Sequence, residues 1–177
     1  MTTSTALRWS HGSRDDNIEV MLPRVVPALL AGALALYGQK YTGPQPPKPD
    51  LPYLVHADNL VATEPGEAKE ESKKDEIVYV VDGATSSAAT PLASPIFLIR
   101  AEQMVPDKLE IYKLESRNGR REVMFSRKKK QTARPIRQSV KRIGDNLYKV
   151  EVDESLENGE YSITPSGSNQ VFCFRVY

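Results

Sequence analysis

Residues 147–177 read LYKVEVDESLENGEYSITPSGSNQVFCFRVY and contain three apolar runs separated by turn-forming residues. In the first run, Lys149 and Glu151 face one way on an extended chain, while Tyr148, Val150 and Val152 face the other. This alternation is typical of a half-buried strand. The stretch therefore predicts three strands, Leu147–Val152, Tyr161–Thr164 and Val171–Tyr177.

Upstream of this stretch the same pattern of short apolar runs continues back to Tyr53, with no helical period sustained over three turns. Asn118-Gly119 between two such runs is a strong hairpin signal, because both residues tolerate positive φ. Only residues 101–107 offer a turn of helix, which Pro106 would end. The pattern predicts an antiparallel all-β domain, either a two-layer sandwich or a closed barrel. Its further candidate strands are Tyr53–Ala57, Ile77–Val81, Ile96–Arg100, Leu109–Glu115, Arg121–Ser126 and Ile136–Ile143.

Leu156, Gly159 and Tyr161 form a Leu-x-x-Gly-x-Tyr motif that resembles the tyrosine corner of Greek-key β-sandwiches. The resemblance implies that the glycine allows a sharp turn between sheets and that the tyrosine hydroxyl bonds to backbone slightly upstream. It implies an immunoglobulin-like sandwich for residues 53–177. Ile163 stands where antibody-type domains carry a cysteine, so this sandwich would lack their disulfide. The chain is also similar in outline to small exported bacterial proteins, a resemblance that implies no activity.

The N-terminal part contains an uncharged apolar run over residues 25–38, directly after Arg24. A bilayer-spanning helix needs about 20 such residues, whereas the apolar region of a signal peptide needs roughly 7–15. We therefore expect residues 21–38 to be a signal peptide, or alternatively an uncleaved membrane anchor with the β domain outside. Cleavage is expected after Ala35 or Gly38, which gives an exported periplasmic or extracellular protein.

The flank before this run is acidic, with Asp15, Asp16 and Glu19 where an export signal should be basic. Our hypothesis is that translation starts at Met21 and that residues 1–20 are an extension outside any domain. The intact mass of the exported protein tests this, since a mature chain that begins near Met1 would contradict it.

Residues 39–52 form a proline-rich linker, within which 43–52 read GPQPPKPDLP. Proline lacks a backbone donor and fixes φ, so this density predicts an extended spacer without helix or sheet pairing. Pro44-Gln-Pro-Pro47 also has the PxxP form of a ligand for another domain, which we consider the less favoured interpretation.

Composition excludes several functional classes. The 177 residues carry 24 Lys and Arg against 23 Asp and Glu, so no global charge attracts the chain to nucleic acid or anionic lipid. One cysteine excludes an internal disulfide, and with two histidines it leaves little material for a zinc site. The acidic segment 64–76 predicts a mobile loop or short surface helix, and it lacks the spaced ligands of a calcium loop. No cofactor is expected.

A basic segment over residues 127–142 contains no acidic residue. It can be an anionic-partner patch for a glycan, lipopolysaccharide or another polyanion, or an edge strand whose charges prevent edge-to-edge aggregation. No aromatic residue lies between 126 and 147, so specific nucleic-acid binding by base stacking is not expected. The residues of this patch are Arg127, Lys128, Lys129, Lys130, Arg134, Arg137, Lys141 and Arg142.

A nucleophilic enzyme would have to combine His56 with Ser86, Ser87 or Cys173. No strand–turn–helix nucleophile elbow is present, and Cys173 between Phe172 and Phe174 has the setting of a small buried hydrophobic residue. The sequence thus favours a non-enzymatic exported β-sandwich that binds an envelope protein or has a structural role. The alternatives are a polyanion binder that uses strand 127–142, and a hydrolase that uses His56.

Overall fold

A computed structural model describes residues 41–73, 75–126 and 132–177, of which the side chain of Lys73 is not described. Within these ranges the regular structure consists of β-strands and one 3₁₀ turn, Pro106–Lys108, and no α-helix occurs. The strands are β1 Tyr53–His56, β2 Asn59–Ala62, β3 Glu64–Glu67, β4 Lys69–Lys73, β5 Glu76–Asp82, β6 Ala89–Thr90, β7 Ile96–Arg100, β8 Leu109–Arg117, β9 Arg120–Ser126, β10 Gln138–Gly144, β11 Leu147–Val152, β12 Gly159–Pro165 and β13 Gln170–Val176.

The strands form two sheets that share a core, so the protein is an antiparallel all-β fold of sandwich type. The first sheet has the order β10-β11-β7-β1-β2, and the second has the order β3-β13-β12-β8-β9-β5-β4. Every pairing is antiparallel except that of the short strand β6, which runs parallel to β13. Phe97 and Val150 of the first sheet are fully buried with Ile111, Ile163 and Phe174 of the second.

The second sheet closes on itself. Its two terminal strands, β3 and β4, are consecutive in the chain and are joined only by Ala68, whose N–H donates to the carbonyl of Asn169. β3 pairs with β13, and β4 pairs with β5 at the other end of the strand order. The continuous segment 64–73 therefore completes a ring of six strands in space, which we call the ring: β3–β4, β5, β9, β8, β12 and β13.

The nine strands expected from the sequence are all present, with ends shifted by at most two residues. The Asn118-Gly119 turn joins β8 to β9, and both residues have positive φ, 50° and 77°. The expected turn of helix over residues 101–107 was wrong. The 3₁₀ turn begins at Pro106 instead of ending there, because proline suits the first position of a helical turn.

The expectation of a loop or helix over residues 64–76 was also wrong, because this segment forms β3, β4 and the start of β5. Gly66 and Ala68 face the interior of the ring, where a Cβ on Gly66 would lie 3.6 Å from Val171 Cγ2. The sequence did not predict these strands because the inward-facing residues between the acidic ones are small and give no hydrophobic alternation.

The described part of the proline-rich linker, residues 41–52, packs against the first sheet instead of standing free. Pro46 is buried, and Pro49 forms an isolated parallel bridge with Arg100, which we did not expect. The Asp50 carboxylate accepts backbone N–H bonds from residues 102, 103 and 104 at 2.9–3.1 Å. Burial alone would raise the pKa of Asp50, but these three donors outweigh it and hold the pKa below its ordinary value.

Tyr161 lies at the point where the chain enters β12. Its hydroxyl donates a 2.7 Å hydrogen bond to the carbonyl of Glu157, four residues upstream, and its ring stacks on Phe174 at 5.4 Å. Leu156 is buried in the shared core beside it. This is the geometry that the Leu-x-x-Gly-x-Tyr motif implies.

We expect Tyr161→Phe to lower the free energy of unfolding by about 1–3 kcal/mol, because the mutation leaves the Glu157 carbonyl without its partner in the protein. Urea unfolding followed by fluorescence measures this. Tyr148→Phe is the matched control, since the Tyr148 hydroxyl makes no hydrogen bond to any described residue. Equal stability of the two variants would show that the corner bond contributes nothing.

Candidate ligand-binding cavity

The inner face of the ring is built by alternation along each strand. On β13, Phe172 and Phe174 point into the core shared with the first sheet, while Val171 and Cys173 belong to a second buried cluster. Leu114 of β8 and Val81 of β5 belong to the same second cluster. The ring thus has an interior of its own, separated from the shared core by β8, β12 and β13.

A buried arginine closes one end of the ring. Arg121 on β9 is 1% exposed, and its Nη2 donates to Glu64 Oε1 at 2.7 Å and to the carbonyl of Asp82 at 2.9 Å. Its Nε donates to the carbonyl of Gly83 at 2.9 Å, and its Nη1 lies 3.9 Å from the carboxylate of Glu160. One cation therefore faces two carboxylates, Glu64 from β3 and Glu160 from β12, the two strands that flank β13.

The loop after β5 completes this closed end. Thr85 and Ser86 donate to the two carboxylate oxygens of Glu160, at 2.7 and 2.9 Å, and the backbone N–H of Ser87 donates to Glu64 at 2.7 Å. Burial alone would raise the pKa of Glu64, but the bonds from Arg121 and from Ser87 outweigh it and lower that pKa. Glu64 thus accepts hydrogen bonds from the arginine and from the loop, whereas Glu160 accepts them from the loop and forms only a 3.9 Å ion pair with the arginine.

Three aromatic side chains stand at the opposite end of the ring. Phe125 lies between Tyr79 and Tyr112, with ring centroids 5.7 and 5.2 Å apart and interplanar angles of 81° and 82°. The Tyr79 hydroxyl donates to Glu70 at 3.3 Å, and the Tyr112 hydroxyl donates to Glu110 at 3.0 Å. We call this set of three rings the aromatic box.

A cavity of about 310 Å³ opens between the aromatic box and the second buried cluster. Leu114, Val123 and Val171 supply apolar wall, while Ser162 and Thr164 supply hydroxyl groups from β12. This volume lies at the lower end of the range that small-molecule sites occupy, and a wall that combines apolar side chains with polar groups is typical of them. The cavity is therefore a candidate ligand-binding site among the described residues.

The described lining of the cavity carries one acidic side chain and no basic one. Among its described lining residues, Glu110 is the one that carries a formal charge at neutral pH, and no lysine or arginine lines it. Burial raises the pKa of Tyr112 to about 12, and its hydrogen bond to Glu110 adds to the rise. The phenol therefore remains a neutral donor to the carboxylate across the physiological range.

The described members of the expected anionic-partner patch lie on and before β10, an edge strand of the first sheet. Arg134, Arg137, Lys141 and Arg142 are all exposed. The guanidinium of Arg142 donates to the carbonyl of Gly144. Arg127, Lys128, Lys129 and Lys130 lie outside the described residues.

The groups of the hydrolase alternative lie in separate parts of the fold. His56 ends β1 in the first sheet, and its Nε2 has no hydrogen-bond partner among the described residues. Ser86 and Ser87 instead bond to the carboxylates at the closed end of the ring. Cys173 is buried inside the ring, and this burial raises the pKa of its thiol to about 11.

The described residues contain neither a metal-binding cluster nor a membrane-spanning helix. No group of three or more histidine, cysteine, aspartate or glutamate side chains there could hold a metal ion. In the same residues, no helix is long and apolar enough to pass through a bilayer. The apolar run 25–38 lies outside them.

Comparison with known proteins gave no match to this chain among protein-family models, curated proteins or solved structures.

Sequence reasoning missed the cavity because its parts are far apart in the chain. Tyr79, Tyr112 and Phe125 each occupy an ordinary strand position, and they meet only through the pairing of β5 with β9 and of β9 with β8. The available signal was period-two spacing: Ile77, Tyr79 and Val81 on one strand, and Val123 and Phe125 on the other, place apolar residues on one face.

Proposed function

We propose that this protein is a non-enzymatic binding module of the cell envelope, and that the ring cavity is its ligand-binding site. The observation that carries the proposal is the form of the ring. One end is closed by Arg121 and its two carboxylates, and the other opens through the aromatic box onto a cavity of about 310 Å³. A cleft of this size, lined by apolar side chains and a few polar groups, is typical of small-molecule sites.

Export belongs to the same proposal. Its support is the apolar run 25–38, which has the length of a signal-peptide core and follows Arg24. We also propose that the sandwich is of the Greek-key, immunoglobulin-like kind without a disulfide. Support for that comes from the Tyr161–Glu157 hydrogen bond and from the buried position of Leu156.

A set of small soluble compounds screened by ligand-observed NMR tests the binding role. We expect hits whose binding is lost in Ala68→Leu, because the extra side-chain volume would fill the cavity that Ala68 lines. Ala62→Leu is the matched control, since Ala62 is exposed on β2 of the first sheet. Circular dichroism confirms that both variants fold. If no compound binds, or if hits bind both variants equally, the cavity is not a binding site.

A second candidate function is polyanion binding by the exposed strand β10. The observation that favours it is the exposure of Arg137 and Lys141 on or beside this strand. Lys141 also lies directly opposite Lys149 on β11, which brings two positive charges together. Retention on a heparin column should then fall steeply with salt and be lost in Arg137→Glu/Lys141→Glu. Retention that this double variant leaves unchanged would exclude the strand as the binding surface.

A further inference from the structure

The aromatic box has the geometry of a cation-binding site. The ring of Phe125 is nearly perpendicular to the rings of both tyrosines. The three rings therefore do not stack in parallel. Aromatic faces attract cations through their quadrupole, and quaternary ammonium groups are bound in proteins by such arrangements of rings. The arrangement of the rings would also suit an uncharged apolar ligand. The charges around the box therefore decide between a cationic and an uncharged ligand.

The charges near the box favour a cation. Each tyrosine hydroxyl donates to a carboxylate, Tyr79 to Glu70 and Tyr112 to Glu110, so two negative groups lie within hydrogen-bond distance of the box. Two exposed lysines of the ring pair with carboxylates that do not line the cavity. Lys69 pairs with Asp82 at 2.8 Å, and Lys113 pairs with Glu157 at 2.6 Å.

The residues that line the inner part of the cavity indicate the chemistry of the remainder of the ligand. Beyond the box the wall becomes apolar, with Leu114, Val123 and Val171. Ser162 lies between them on β12, and its hydroxyl makes no hydrogen bond to a described residue. A ligand that fills the cavity therefore needs a charged group at the mouth, an apolar stem, and room for one polar group inside.

The geometry points to a small organic cation as the ligand: a quaternary or alkylated ammonium on a short apolar stem, with its charged head in the aromatic box beside Glu70 and Glu110. This inference rests on the proposed function and narrows it to one chemical class. The head would be held by the faces of Tyr79, Tyr112 and Phe125 and by the two carboxylates. Uncharged molecules of the same shape would lose that attraction and keep only the apolar contacts.

Titration of the full chain with choline and with 3,3-dimethylbutan-1-ol, followed by NMR or calorimetry, tests this inference. The two probes have nearly the same shape and differ in the positive charge. We expect choline to bind more tightly, by on the order of tenfold, which corresponds to the strength of a partly desolvated cation–π contact. Glu110→Gln should reduce this preference several-fold, because the amide can still bond to Tyr112 but carries no charge.

Glu115→Gln is the matched control. Glu115 lies on the same strand as Glu110, is exposed, and pairs with Arg117 on the surface. Its loss should leave the preference for choline unchanged. Phe125→Leu should weaken choline binding and leave binding of the alcohol nearly unaffected, because the apolar wall remains while the aromatic face is lost.

The result that overturns the inference is equal binding of both probes, or a preference for choline that Glu110→Gln and Phe125→Leu do not alter. If neither probe binds but compounds of the NMR screen occupy the cavity, the inference fails and the proposed function stands. If Ala68→Leu alters the binding of neither the two probes nor any compound of the screen, the inference and the proposed function both fail.

Discussion

Replacement of Arg121 by methionine is expected to lower the free energy of unfolding by about 3–5 kcal/mol. The side chain is 1% exposed and lies within 4 Å of two carboxylates, one of which, Glu160, is 8% exposed. Removal of the cation leaves these carboxylates without their counter-charge, and an uncompensated buried charge is costly. The carbonyls of Asp82 and Gly83 also lose their donor.

Urea denaturation of Arg121→Met and Arg120→Met gives the matched comparison. Arg120 is the preceding residue, it faces outward, and it pairs with Glu71 and Glu122 at the surface. These pairs are partly exposed to solvent, and surface pairs contribute about 0–1 kcal/mol, so Arg120→Met should cost much less than Arg121→Met. Similar losses in the two variants would contradict a special role for Arg121.

A rescue variant separates the charge from the packing of this end of the ring. Glu160→Gln in the Arg121→Met background removes one unpaired charge, while its amide oxygen can still accept from the Ser86 N–H and its amide nitrogen can donate to the Thr85 hydroxyl. We therefore expect part of the lost stability to return. If the double variant is no more stable than Arg121→Met, the cost comes from lost packing and lost carbonyl donors, and not from the carboxylate.

The sequence was sufficient for the strands whose inner residues are large. Phe97 and Ile99 on β7, and Phe172 and Phe174 on β13, belong to short apolar runs bounded by turn-forming or polar residues, and these strands form as expected. Segment 64–73 has the same alternation, but its inner positions include Gly66 and Ala68 between acidic residues. Small residues give no hydrophobic signal, although the narrow interior of the ring requires them.

The charged end of the ring was equally hidden. A basic residue at the start of a strand is most often solvated, so Arg121 could not be distinguished from the partly exposed Arg120 beside it. Arg121 is buried because Glu64 of β3 and the loop that carries Thr85 and Ser86 lie at the same end of the ring. These contacts join residues up to 75 positions apart, and local patterns do not report such pairings.

The second large effect is expected for Phe174→Ala, which should lower the free energy of unfolding by about 3–5 kcal/mol. Phe174 is fully buried between the two sheets, with its ring 5.0 Å from Phe97 and 5.4 Å from Tyr161. Truncation leaves a cavity between rigid strands, and it removes both aromatic contacts. Since Phe97 comes from the first sheet and Tyr161 from the second, the loss affects the junction of the two layers.

Urea unfolding measures this effect, provided that the slope of the unfolding free energy against urea concentration is the same in the variant and the wild type. Tyr177→Ala is the control. Tyr177 follows the same strand but is 59% exposed, so its truncation should change stability by no more than about 0.5 kcal/mol. Phe174→Leu should fall between the two, because it restores much of the volume but not the aromatic contacts. A Phe174→Ala variant as stable as Tyr177→Ala would mean that the sheets do not depend on this contact. The ring would then be held to the first sheet by its other core residues, such as Ile111 and Ile163.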